Sequence, residues 1–277
     1  MSPNLERFAE LVTREQFSLA EACLLIAEDE YPRLDIPACI GRLDAIAATV
    51  RGRLAADASP EQRIAALNRH LFDELRFRGN TDRYEDPRNS YLNEVLERRT
   101  GIPITLSIVY LEVGRRVGLA LQGVSFPGHF LVKVRLERGE LVLDPFAGGE
   151  PCSAAELRGR LEKALAPARP ARLDLERYLA PASPRDIVAR VLRNLKGLYM
   201  KSGKLDRALA VMRRMLLVVP ESAEELRDRG LLYARLECFR PALADLQNYL
   251  RRRPDAPDGA EIHAKVVELR AATTRIQ

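Results

Sequence analysis

The sequence predicts an α+β domain followed by an all-α repeat region, on three observations. The C-terminal third repeats itself at an interval of 34 residues. The first half carries apolar residues at helical spacing up to Gly118 and at strand spacing after it. Charge divides the chain as well: from Ile187 onward 18 Lys and Arg face 11 Asp and Glu, a net +7, while the remainder carries −2. Such asymmetry points to two units with different surfaces.

The helical part begins at Leu19–Glu30 (LAEACLLIAEDE), and a second stretch runs from Pro37 to Leu54. Ser59-Pro60-Glu61-Gln62 reads as an N-cap, a first-turn proline and a capping-box glutamine, starting a helix to about Phe77. The segment RGNTDRYEDPRN has no period and reads as a polar loop. Its Asp82, Glu85 and Asp86 lack the ligand spacing of an EF-hand. Tyr91–Arg99 is helical again and ends at Gly101. Pro103 suits the first turn of a helix through ITLSIVYLEVGRRV.

After Gly118 the pattern predicts strands at Leu119–Phe126, His129–Leu136 and Leu141–Asp144. The turns fall at Phe126-Pro127-Gly128 and Glu137–Glu140. Residues 1–150 are therefore expected to form the α+β domain. Residues 151–186, rich in Pro and Ala, read as a connecting segment with short helical fragments.

Residues 187–277 form the repeats. At the 34-residue offset Tyr199 meets Tyr233, Ala208 meets Ala242 and Pro220 meets Pro254; Leu192, Leu198 and Leu209 meet Leu226, Leu232 and Leu243. This is the tetratricopeptide pattern of paired helices. Repeats fall near 189–222 and 223–256, with a capping helix at about Gly259–Arg275. Gly203 and Gly230 take the two usual glycine positions, one in each copy, while Glu237 and Lys196 hold the same slots in the opposite copies.

Composition excludes several classes. With 277 residues, 47% hydrophobic and 30% charged, the chain can bury a core without a disulfide or metal staple. No run of 18 apolar residues marks a membrane span, and MSPNLERFAELV does not read as a signal peptide. The cysteines, Cys23, Cys39, Cys152 and Cys238, form no C-x-x-C pair and read as free thiols of a reducing, cytoplasmic compartment. Cys23 and Cys39 lie on apolar helix faces, Cys152 follows the Asp-Pro segment, and Cys238 is expected to pack inside the second repeat. The histidines are His70, His129 and His263, too few for a multi-histidine site, so no metal or other cofactor is expected. His70 and His263 show no partner in sequence.

The chemistry candidates are His129, opening one strand, and Asp144, closing the next. A hairpin between them sets the two ends side by side, where a carboxylate orients an imidazole. A nucleophile would belong at the helix N-terminus, Ile102–Thr105, where the helix dipole lowers a thiol's pKa. Three readings of His129 stand: a buried structural pair with Asp144, a ligand contact, or a catalytic base. The glycines of Phe126-Pro127-Gly128 and Gly148-Gly149 read either as turns or as places of close ligand approach.

A helix N-terminus, then a strand with His, then a strand with Asp-Pro resembles the transglutaminase-like fold. More closely, NSYLNEVLERRTGIPITLSIVYLEVGRRVGL, FPGHFLVKV and LVLDPFAGG resemble the bacterial SirB family, which joins such a domain to tetratricopeptide repeats. The resemblance covers about Leu19 to Pro254. It implies a superfamily nucleophile, Cys, in a Gly-x-Cys at the helix start; the counterpart here is Gly101-Ile102-Pro103. Proline has neither thiol nor N–H, so only His129 and Asp144 carry over. Thr105 is the weaker hydroxyl candidate beside them, needing His129 as its base.

Three functions follow from this reading. One is a non-catalytic, regulatory scaffold binding a protein or peptide through the repeats, a pseudoenzyme. Another is a hydrolase or acyl-transferase with a non-standard nucleophile near His129. The last is nucleic-acid binding by the basic repeats, which no nucleic-acid signature accompanies. Two repeats are few for independent stability. An isolated 187–277 fragment is therefore expected to show no cooperative thermal transition by circular dichroism; a sharp one would contradict this.

Overall fold

The computed structural model describes residues 3–137, 139–166 and 174–275. The chain divides into two units, Met1–Val191 and Leu192–Gln277.

The first unit opens with α1 (Pro3–Thr13), α2 (Leu19–Ala27) and α3 (Ile36–Arg51). Ser18 and Asp35 cap α2 and α3 by accepting from the third residue onward. All but one residue of α2 is buried, as its apolar run requires. Ahead of α4 (Pro60–Asn68) the capping box forms: Ser59 Oγ accepts from the Gln62 N–H and Gln62 Oε1 from the Ser59 N–H. The helix expected to run to Phe77 changes character at Arg69–Glu74, a π-helical turn in which the Leu75 N–H reaches the His70 carbonyl.

The polar segment that follows departs from its expected lack of structure. It contains β1 (Arg78–Gly79) and a 3₁₀ turn at Pro87–Ser90. After α5 (Leu92–Arg98) comes β2 (Thr100–Gly101), parallel to β1. Strands of two residues carry no period that a sequence displays. Next is α6 (Pro103–Arg116), buried without interruption from Pro103 to Tyr110.

An antiparallel sheet in the order β3–β4–β5–β6 lies against it: β3 (Leu121–Val124), β4 (Leu131–Leu136), β5 (Gly139–Asp144) and β6 (Glu150–Pro151). Val132 stands opposite Leu143 and Leu136 opposite Gly139, so β5 begins two residues earlier than expected. Arg138, within the expected turn, lies outside the described residues. His129 precedes β4 instead of opening it.

The segment read above as connecting structure contains a twelve-residue helix, α7 (Ala154–Leu165). Its Leu157 and Leu161 join Val124, Phe126, Leu131 and Val142 in one buried cluster. Side chains alternate along β4, so Leu131 faces α7 while Val132 and Val134 face the side that α6 covers. Residues 167–173 lie outside the described residues; α8 (Leu175–Tyr178) follows.

The second unit is built from the end of α9 (Pro184–Lys201), then α10 (Leu205–Val218), α11 (Ala223–Arg235), α12 (Phe239–Arg252) and α13 (Gly259–Arg275). Ala208, Ala242, Tyr199 and Tyr233 are buried. Gly203 has φ +68° in the α9–α10 turn, and Glu237, 34 residues on, takes the same left-handed conformation at φ +56°. A Cβ on Gly230 would stand 2.8 Å from Leu246, so α11 and α12 approach closely there. Cys238 is exposed just ahead of α12, not packed between helices, because the turn holds it outside the pair.

Leu161→Ala should lower unfolding stability by about 2–5 kcal/mol, since it empties a site with no solvent exposure. A urea midpoint equal to wild type would show that α7 is not part of the core.

Candidate functional site

The turn Phe126–His129 is closed by the His129 N–H on the Phe126 carbonyl, 3.0 Å, with Gly128 at φ +70°. Proline followed by a left-handed glycine suits a type II turn. It delivers His129 just ahead of β4, beside the end of β5. There His129 Nε2 lies 2.9 Å from Asp144 Oδ1.

The Asp144 carboxylate is 2% exposed and accepts three hydrogen bonds. Oδ1 takes the His129 Nε2–H and the Phe146 N–H (3.1 Å); Oδ2 takes Arg160 Nη1 (2.7 Å). Burial pushes its pKa up, but the hydrogen bonds and charges of His129 and Arg160 outweigh burial and hold it below the ordinary carboxylate range. Because the carboxylate is ionised, Nε2 is the nitrogen that donates to it, and Nδ1 is the ring's other nitrogen. Among the described residues Nδ1 has no hydrogen-bond partner, and the His129 side chain is 19% exposed.

The Phe146 ring stands edge-on to His129 (centroids 5.8 Å) and Tyr84 packs on Phe146 (6.5 Å). Gly79 on β1 makes room: a Cβ there would lie 2.5 Å from the Phe146 ring. Gly149 (φ +76°) serves the turn after Asp144, donating to the Asp144 carbonyl, and lets Asn68 reach its own carbonyl at 3.0 Å. Gly148 beside it is left-handed as well, at φ +78°.

Thr105 is 1% exposed, and its hydroxyl is committed elsewhere. It donates to the Asn89 carbonyl (2.7 Å) and accepts from the Ile102 N–H (3.1 Å). The structure therefore joins His129 to Asp144 but shows no hydrogen bond from Thr105 to His129. Pro103 is buried at the first turn of α6.

Three of the four thiols are raised above their ordinary value. Burial, with a lesser push from Glu112, raises Cys23 well above its ordinary value. Burial also raises Cys39 and Cys152; at Cys152 Arg160 counteracts and Asp144 reinforces the rise. Among the described residues no cluster of three or more His, Cys, Asp or Glu side chains is arranged to hold a metal.

Two partners escaped the sequence reading. Arg160 was missed because 151–186 was not read as a packed helix, although Ser153 and Glu156 form a capping box that marks its start. His70 has a partner one turn on: Nδ1 lies 2.8 Å from Glu74. The Arg53 guanidinium and then His70 hold the Glu74 carboxyl at about 2.

A model of the transglutaminase-like superfamily matches residues 38–193, and one of the tetratricopeptide repeat matches 195–266. A UPF0162 protein of Xylella fastidiosa (strain Temecula1) is 42% identical over 96% of this chain and 94% of its own. A UPF0162 protein of Pseudomonas aeruginosa is 31% identical over 95% of each chain. Protein SirB1 of Salmonella typhimurium is 28% identical over 91% of this chain and 93% of its own.

Asp144→Ala should cost about 3 kcal/mol, because it leaves the Arg160 charge and the His129 N–H without their acceptor. An unchanged melting temperature would sink that structural role. With its folded pKa depressed, Asp144 contributes stability that is full above about pH 3.9 and is lost as pH falls toward the folded value. Asp144→Asn should remove this part of the acid sensitivity in melts taken against pH.

Proposed function

The chain belongs to the transglutaminase-like superfamily, with SirB1 and the UPF0162 proteins, and from that premise we propose that it is a non-catalytic regulatory scaffold. It binds a protein or peptide partner through its tetratricopeptide repeats, a repeat type that generally mediates protein interactions. Pro103 carries this reading. It stands where the superfamily's nucleophile is expected, and offers neither a thiol nor a backbone N–H. The three thiols with raised pKa values add no substitute. On this reading the His129–Asp144–Arg160 network is a structural cross-link inherited from a catalytic design, and the domain is a rigid platform. Among the described residues no helix is long and apolar enough to cross a membrane; with free thiols, a cytoplasmic scaffold is the simplest assignment.

One observation favours a second reading, a hydrolase or acyl-transferase with a non-standard nucleophile. Asp144 holds one ring nitrogen of His129, as the orienting carboxylate of a base would, while Nδ1 has no hydrogen-bond partner among the described residues. Its nucleophile would not be Thr105, whose hydroxyl is already shared between Asn89 and Ile102.

Alkylation by iodoacetamide, followed by mass spectrometry across neutral to alkaline pH, separates the two. Cys23, Cys39 and Cys152 should react only above the ordinary thiol value of about 8.5, and no cysteine should slow in His129→Ala. A thiol that reacts at neutral pH and slows in that variant would establish the enzyme. In cells, partner cross-linking should survive His129→Ala and fail when the repeats are altered. Loss of partner capture in a folded His129→Ala variant would overturn the scaffold.

A further inference from the structure

We propose that the groove along α9 and α11 takes an acidic segment of a partner protein that inserts a large apolar side chain beside Gly197. The proposal rests on the scaffold reading and names the chemistry of its partner. The groove has a volume of about 600 Å³.

Gly197 is the first observation. A glycine in the middle of a helix weakens it, and some glycines have a packing or backbone reason. Gly230 has one in the close approach of Leu246, and Gly203 in its φ of +68°. Gly197 has neither: it is exposed, and a Cβ there would meet nothing within 4 Å. Gly41 in α3 and Gly159 in α7, like Gly197, have open space where a Cβ would stand; of these three only Gly197 lines the groove. The missing side chain serves no packing inside the unit. What it leaves is space in the groove, over a floor that includes Met200, Met212 and Leu231. Methionines make such a floor adaptable to an apolar guest.

Charge is the second. The groove's two carboxylates are neutralised from within the repeats. Lys196, in a slot where the other copy has glycine, puts Nζ 2.6 Å from both Glu225 and Asp228, and Arg227 adds a further bond to Asp228 at 2.9 Å. Arg193 and Arg235 line the same groove, are exposed, and have no ion pair among the described residues. The groove thus presents two uncompensated cations around an apolar floor. A partner segment with carboxylates flanking one apolar side chain complements both features. No aromatic residue lines the groove, so it lacks the stacking platforms that single-stranded nucleic acid uses.

The test titrates the full chain with fluorescein-labelled synthetic peptides. One alternates Glu with Leu, one replaces every Glu by Lys, and one replaces every Leu by Ser. The Glu-Leu peptide should bind, and the other two should not. Gly197→Leu should weaken binding about tenfold or more while leaving the melting temperature unchanged or raised. Arg193→Glu with Arg235→Glu should transfer the preference to the Lys peptide. Binding unaffected by Gly197→Leu would overturn the groove and leave the scaffold standing, since partner capture in cells reads the scaffold separately. Equal binding of the Lys peptide, no binding of any peptide, or displacement of the Glu-Leu peptide by oligouridylate would each overturn the proposal as well.

Discussion

A single buried carboxylate ties the first unit together at its chemically richest point. Asp144 ends β5, His129 comes from the turn ahead of β4, and Arg160 from α7, so three stretches of chain meet on two oxygens. A carboxylate so far out of water is tolerable only with its donors in place. The Phe146 N–H supplies the third, and it sets the Phe146 ring against His129 and over Gly79. The parallel pair β1–β2 and the sheet are thereby fastened to the same point.

That arrangement is what a general base needs from its orienting partner, and here it stands next to a helix whose first turn is proline. Pro103 at that position offers neither a thiol nor an N–H to the positive end of the α6 dipole. Thr105 illustrates how the fold has used the neighbouring hydroxyl: capping the backbone of Ile102 and holding the carbonyl of Asn89.

The repeats show a related exchange. In one copy a glycine allows α11 and α12 to approach; in the other the same slot holds Lys196, which replaces close packing by ion pairs to α11. Glu237 accepts a left-handed backbone where the other copy has glycine. Both substitutions keep the 34-residue spacing while changing the physical means by which neighbouring helices are held.

Periodicity made most of this readable. Apolar spacing marked the helices, alternation marked β4, and the offset of 34 marked the repeats, because each is a local property of the chain. The pairing of His129 with Asp144 follows from the same hairpin: Asp144 ends β5 next to Leu143, which stands opposite Val132, and His129 lies three residues before Val132. Local pattern could not reveal the two-residue strands, the π-helical turn, or α7 as a wall of the core. Nor could it show Arg160 on Asp144, because that contact depends on how α7 settles over the sheet, and burial is decided by all the elements together. The sequence alone determined the longer helices, the β4–β5 hairpin, the repeat and the proline at position 103, which are facts about residue order. Only the tertiary structure decided which charges are buried together and which glycine opens a groove, because both depend on what the folded chain leaves around each side chain.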